Sequence, residues 1–247
     1  MKLAGIPPSP DELRELLGEG FVRDFDERLG AVGVDVVHVP GLSTAYSFVV
    51  DGRPVIATST TLNWFYTNWS IAHELGHLAL GHKGATPDSE DINGLERQAN
   101  AFAASLLLPE DAVRRVDWSD PQLTQVATFL WKAGVSTKAL AARLQRLKIK
   151  VSPDLVEELK NTSTQGFLHR HGDSTMRRQI AGRMEQSARR KFPEWLLRAH
   201  TEKVTEGALG KGTLAWMLGV DQGEIEDGHS VSGREPDHEP DLEAFFG

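Results

Sequence analysis

Two short strings carry the side chains best suited to chemistry: His73-Glu74-Leu75-Gly76-His77 and, starting 19 residues after His77, Glu96-Arg97-Gln98-Ala99-Asn100. In a helix, positions i and i+4 lie on one face, so His73 and His77 can hold a single metal ion between them. Glu74 projects beside that face, where a carboxylate can take a proton from an activated water. Catalytic zinc commonly has three protein ligands and an open fourth position, so a third ligand is needed. Glu96 is the leading candidate, because it opens a second helical pattern far enough along the chain for a loop to bring that helix alongside the first. Asn100 falls one turn later on the same face, where it can hydrogen-bond the free ring nitrogen of a ligand histidine. His82 is five residues past His77, about 140° round a helix, and reads as a cap or surface residue unless the helix ends and folds back. Asp88, Glu90 and Asp91 are lesser candidates in the intervening loop.

These residues need elements to position them. The helix bearing the histidines reads from Asn68 or Ser70 to Leu80, closed by Gly81. Ile71, Ala72, Leu75, Leu78 and Ala79 give it apolar surface nearly all round, which marks it as buried. Two imidazoles and a carboxylate in such a helix cost free energy unless ligated or paired, which favours function over chance. The next helix, Asp91–Leu108, repeats apolar residues on one stripe and stops at Pro109. Upstream, Val34–Val39, Ala45–Val50 and Val55–Thr58 have strand composition, and Asp51-Gly52-Arg53-Pro54 reads as a hairpin turn. Short strands gathered before helices predict an α+β fold with a short antiparallel sheet packed on the histidine helix. The aromatic run Trp64, Phe65, Tyr66 reads as core cover where strand meets helix.

After Pro109 the chain reads as all-helical. Two stripes within residues 121–150 flank Gly134-Val135-Ser136 in a helix-turn-helix outline. Lys138, Arg143, Arg146 and Lys148 would suit DNA, but surface helices commonly carry such charge, so packing or partner docking is the preferred reading. Ser163–Asp173 has loop composition, the following helix is basic, and Pro193–Glu224 forms a second helix-turn-helix-like unit. The expected organisation is residues 1–118, 119–152, 153–220 and a disordered acidic tail, 221–247. That tail carries nine acids and one base; removing them from totals of 35 and 27 leaves 26 of each. The body is neutral, so net charge does not argue for or against nucleic acid. With no cysteine, disulfides and thiolate nucleophiles are excluded. No apolar run approaches the roughly 18 residues of a membrane span, and the first residues lack the apolar stretch of a secretory signal. A cytoplasmic location is the expectation.

HELGHLALGH followed by ERQANAFAASLLLP resembles the ImmA/IrrE family of metallo-endopeptidases. The likeness is specific over about Trp69–Pro109 and weaker over the strands before it and GVSTKALAARLQRL after it. A longer HExxHxxGxxH pattern fails, since Leu80 and Lys83 stand at its Gly and His places, while a glutamate with a polar i+4 partner is similar to thermolysin-like zinc peptidases. The resemblance implies a zincin-like domain with one Zn2+ on His73, His77 and Glu96, and Glu74 as catalytic base. It also implies a substrate: a helix-turn-helix repressor whose cleavage relieves repression. Tyr46, Tyr66, His169 and His171 are open candidates for stabilising the oxyanion. Strand Val55–Thr58 is expected to pair with an extended substrate. The rival readings are a metal-dependent partner that grips a repressor without cutting it, and a DNA-binding regulator.

Overall fold

Asp51 and Gly52 take φ of 49° and 82°, the left-handed pair that closes a two-residue hairpin with the natural strand twist. They join β2 (Tyr46–Val50) antiparallel to β3 (Arg53–Ser59), while β1 (Asp35–Val39) lies parallel to β3 on its other side, in the order β1-β3-β2. These elements come from a computed structural model, which describes residues 5–82 and 92–225. The helices are α1 (Pro10–Leu17), α2 (Phe25–Ala31), α3 (Trp64–Leu80), α4 (Ile92–Leu107), α5 (Glu110–Arg114) and α6 (Leu123–Ala133). The series continues with α7 (Thr137–Arg146), α8 (Pro153–Asn161), α9 (Thr164–His171), α10 (Ser174–Ser187), α11 (Glu194–Thr205) and α12 (Lys211–Leu218). The α+β class and the helical C-terminal region agree with the sequence. No helix among the described residues is long and apolar enough to cross a membrane.

The antiparallel sheet expected from the sequence is corrected to a mixed one. Six residues separate Val39 from Tyr46, enough to step across two strand spacings of about 4.8 Å each. β2 therefore lands one place beyond β1's neighbour, and the strand returning from the hairpin fills the middle. β3 is paired on both sides, so it cannot receive a substrate strand as anticipated. The outer edge of β1 is bridged as well: His38 N–H donates to the Lys191 carbonyl at 2.8 Å, and Lys191 N–H donates back at 3.1 Å. β2 is the edge strand on the other side of β3.

One face of the sheet, with Val36 and Ile56 buried, packs on α3. On the other face Asp35 accepts two hydrogen bonds from Arg53 and one from the Trp195 indole of α11, which ties the C-terminal helices to the strands. α3 starts earlier than expected because the Asn63 side chain caps it, accepting from Tyr66 N–H at 3.2 Å. Trp64 and Phe65 are then buried in its first turn, whereas Tyr66 is exposed. A second correction concerns Ser163–Asp173, which is not a loop. Ser163 caps α9 and Asp173 caps α10, so the polar residues lie at helix starts while Phe167 and Leu168 between them are buried. The α6–α7 and α11–α12 pairs form as anticipated. One apolar cluster runs from Leu13 through Ile56, Leu75, Trp118 and Leu144 to Met184. Residues 83–91 and the acidic tail beyond Ile225 lie outside the described residues.

Asp26 on α2 fastens the bridged edge of β1, accepting from His38 Nε2 at 3.0 Å and pairing with Lys191 Nζ at 2.9 Å. Burial pushes its carboxyl up, but His38 and Lys191 together outweigh burial and hold it at about 2, below its ordinary 3.8. A depressed carboxyl stabilises the fold above its unfolded pKa and loses that contribution as pH falls through the folded value. Asp26→Asn should cost roughly 2 kcal/mol at neutral pH. The gap from wild type should narrow between about pH 4 and pH 2. Urea unfolding across that range checks this, and a gap that does not change with pH would contradict it.

Candidate metal centre

Gly76, inside the histidine string, lets the two site helices meet. A Cβ there would stand 3.1 Å from the Ala99 Cα, the Ala99 carbonyl and the Phe102 Cβ of α4. With no side chain in the way, α4 approaches α3 closely enough to bring Glu96 onto the histidines. His73 Nε2 lies 3.1 Å from Glu96 Oε2 and His77 Nε2 lies 3.4 Å from Glu96 Oε1. The two Nε2 atoms are 3.1 Å apart. Ligands about 2.0–2.1 Å from a tetrahedral zinc ion stand roughly 3.3 Å from one another. The three donor atoms thus form a triangle of the right size for such an ion, and their types suit it.

Protonation favours the same use. Burial and the neighbouring His73 pull the His77 imidazole down to about 4 against the opposing charge of Glu96, so it is neutral near pH 7 and has a lone pair to give. Each ring is also oriented from behind. His73 Nδ1 meets Asn100 Oδ1 at 3.3 Å, and Asn100 Nδ2 donates to the Glu96 carbonyl at 2.9 Å. His77 Nδ1 meets His82 Nδ1 at 3.1 Å. Both Nε2 atoms are left pointing at Glu96. The carboxylate is about half exposed, so the triangle opens toward solvent on the α4 side.

His82 reads from the sequence as a cap or surface residue; its backbone does cap α3, and its ring in addition reaches His77. α3 ends at Gly81 with φ of 71°, the chain folds back, and His82 N–H donates to the His77 carbonyl at 2.9 Å. The signal was Gly81 itself, since a left-handed residue after a helix returns the next residue toward the last turn. Ser47 was missed altogether. Its hydroxyl donates to Glu74 Oε2 at 2.7 Å. Alternation along β2 puts Ser47 on the same face as its partner Ile56, toward α3. Glu74 is buried, and burial raises its carboxyl to about 7; the Ser47 hydrogen bond works against this and Glu96 adds to it. A carboxyl poised near neutrality can both accept and return a proton.

The remaining candidates are not gathered at the triangle. His169 and His171 sit on α9, which packs against α6 and α10, and His171 Nε2 meets Glu158 Oε1 at 2.8 Å. Tyr46 lies on the face of β2 opposite Ser47. Tyr66 shares the His73 face of α3 but stands two turns, about 10 Å, toward its N-terminus, the direction in which helical side chains lean. Asp88, Glu90 and Asp91 lie outside the described residues.

Asn100→Ala and His82→Ala should each weaken metal binding by about ten- to a hundredfold, because each frees a ligand ring to rotate. Competition against a chromogenic chelator measures this; affinity unchanged in both would mean the ring contacts do not orient the ligands.

Residues 30–145 match the family model Peptidase_M78, the IrrE N-terminal-like domain. The matched domain is of the ImmA/IrrE type. His73, Glu74, His77, Glu96 and Asn100 all fall within the matched residues, as do the whole sheet and nearly all of the α6–α7 pair. Helices α8 to α12 lie beyond the match. The family is one of metallopeptidases, in accord with a donor triangle next to a buried carboxyl. No curated protein matches the chain.

Proposed function

We propose that this protein is a zinc-dependent endopeptidase of the ImmA/IrrE type that cuts a helix-turn-helix repressor and so relieves repression in the cytoplasm. The observation that carries the peptidase reading is the convergence of His73, His77 and Glu96, with Glu74 held beside them by Ser47. Those three side chains would hold the ion. A bound zinc ion supplies Lewis acidity toward a peptide carbonyl and brings a water's pKa to about 7. Ser47 fixes one oxygen of Glu74 and leaves the other to accept the proton of the attacking water. Glu74 then returns that proton to the nitrogen of the departing amine, which prevents the peptide bond from re-forming. An extended substrate backbone lying along β2, the edge strand that carries Ser47, would reach Glu74. The strand carrying Ser47 would then also present the scissile bond.

The repressor as substrate rests on the family resemblance. The DNA-binding reading has less support, because one of the outline's four basic residues and its turn are taken up by packing. Arg143 of α7 is buried and donates to the Leu108 carbonyl at 2.9 Å, and the Gly134 turn abuts Val22 and Asn68. To test the proposal, wild type and Glu96→Ala are purified, their zinc content is measured, and each is incubated with the helix-turn-helix repressor encoded nearest to it. Wild type should hold one zinc ion and cut the repressor; Glu96→Ala should lose most of the metal and all cleavage. A zinc-loaded wild type that leaves the repressor intact under every inducing condition would replace the endopeptidase with a gripping partner. Unchanged zinc in Glu96→Ala would remove Glu96 from the ligand set.

A further inference from the structure

On the side of α3 facing away from the triangle, a cleft of about 640 Å3 lies between α10, the first turns of α3 and the segment from the 3-10 turn Phe21–Asp24 into α2. Trp64, Thr67, Asn68 and Ile71 of α3 line it, and these positions are about 120–180° round the helix from His73. From α10, Gln179, Arg183 and Gln186 face it, spaced i, i+4 and i+7 as one helical stripe, and Arg190 lines it from the segment just after that helix.

Arg183 is the unusual member. Its guanidinium is half-buried over two indoles, 4.3 Å from the Trp64 ring centroid and 4.0 Å from that of Trp131. Burial pulls its pKa down to about 10 and the charge of Arg23 pulls the same way, with only Asp24 opposing. Among the described residues Arg183 makes no ion pair, whereas Lys191 of the same cleft is paired with Asp26 and Arg190 donates to the Trp216 carbonyl. A partly desolvated guanidinium beside a second arginine is unfavourable unless an anion completes it. The two tilted indoles hold the planar group through its face, leaving its N–H edge to meet a planar or tetrahedral oxyanion. Gln179 and Gln186 add neutral donors on either side.

We infer that this cleft binds a small metabolite through a phosphate or carboxylate group, with Arg183 as the anchor and Arg23, Gln179 and Gln186 as further donors. The volume is in the range of small-molecule sites, roughly 300–1,000 Å3, and exceeds what a bare oxyanion fills. The metabolite therefore occupies space beyond its charged group. The site shares α3 with the metal-ligating histidines but makes no use of them, so it stands or falls independently of peptide cleavage.

The test is direct binding to the full chain. Inorganic phosphate, AMP and citrate are titrated by calorimetry and by tryptophan fluorescence, which Trp64 and Trp131 should report, with KCl at matched ionic strength as the control. The expected result is saturable binding of at least one probe, with phosphate and AMP separating from citrate according to the group preferred. Arg183→Gln should weaken that binding at least tenfold, while Arg198→Gln, on the exposed surface of α11, leaves it unchanged. If Arg183→Gln does not fold, Arg23→Gln, at an exposed position, should weaken binding at least threefold. No saturable binding by any probe, a response reproduced by KCl, or undiminished affinity in the folded variants would overturn the inference.

Discussion

Glu74→Gln should leave the protein folded and charged with zinc, yet slow peptide hydrolysis by about 10²–10⁴-fold. The amide has the shape of the carboxylate and can still accept the Ser47 hydroxyl that lies 2.7 Å from Glu74 Oε2. It has no oxygen basic enough to take a proton from the attacking water. Because His73, His77 and Glu96 are untouched, metal content should match wild type, which separates proton transfer from metal loss. Stability should be equal or slightly higher. Burial holds the Glu74 carboxyl at about 7, so the ionised form is disfavoured where it stands, and a neutral amide avoids that cost. A residue that works against the fold while serving the chemistry is expected at an active site. Single-turnover cleavage of the proposed repressor substrate, zinc content and melting temperature are the three readings. Undiminished cleavage would remove Glu74 from the mechanism.

The largest effect on stability should come from Gly134→Ala, in the turn between α6 and α7. Gly134 has φ of 60°, where any side chain is strained, and an added Cβ would stand 2.3 Å from Val22 Cγ1 and 2.5 Å from Asn68 Nδ2. Asn68 cannot simply withdraw, since its Nδ2 donates to the Gly134 carbonyl at 3.0 Å. A left-handed conformation costs about 1–2 kcal/mol and overpacking about 1–3 kcal/mol, so the sum is about 3 kcal/mol. For a chain of this size that corresponds to a fall in melting temperature of roughly 6–12 °C. Gly52→Ala is the matched control: its φ is 82°, but nothing lies within 4 Å of the added Cβ. It should show the conformational cost alone. Equal losses from the two substitutions would mean that the α6–α7 turn is not wedged against α3.

Spacing alone determined the features that depend on one element at a time. His73 and His77 share a face because i and i+4 always do, and the same rule places Glu96 with Asn100. Gly134 between two apolar stripes marked the α6–α7 pair. Boundaries were legible only where a strong stop was present, as at Gly81 and Pro109; α3 began earlier because Asn63 makes a cap within an aromatic run. The polar residues of Ser163–Asp173 concealed a helix because, in a segment this short, the caps outweigh the buried pair Phe167 and Leu168.

What tertiary structure decided is which elements meet. Strand order followed from a short link that reached past its neighbour, so β3 became central and β2 took an edge. Ser47 reached Glu74 across 27 residues, and Arg183 came to rest over indoles from α3 and α6. Periodicity is a property of the local backbone and can be read along the chain. The pairing of faces is a property of the whole core, settled by which apolar surfaces bury one another, and no stretch of sequence contains it alone.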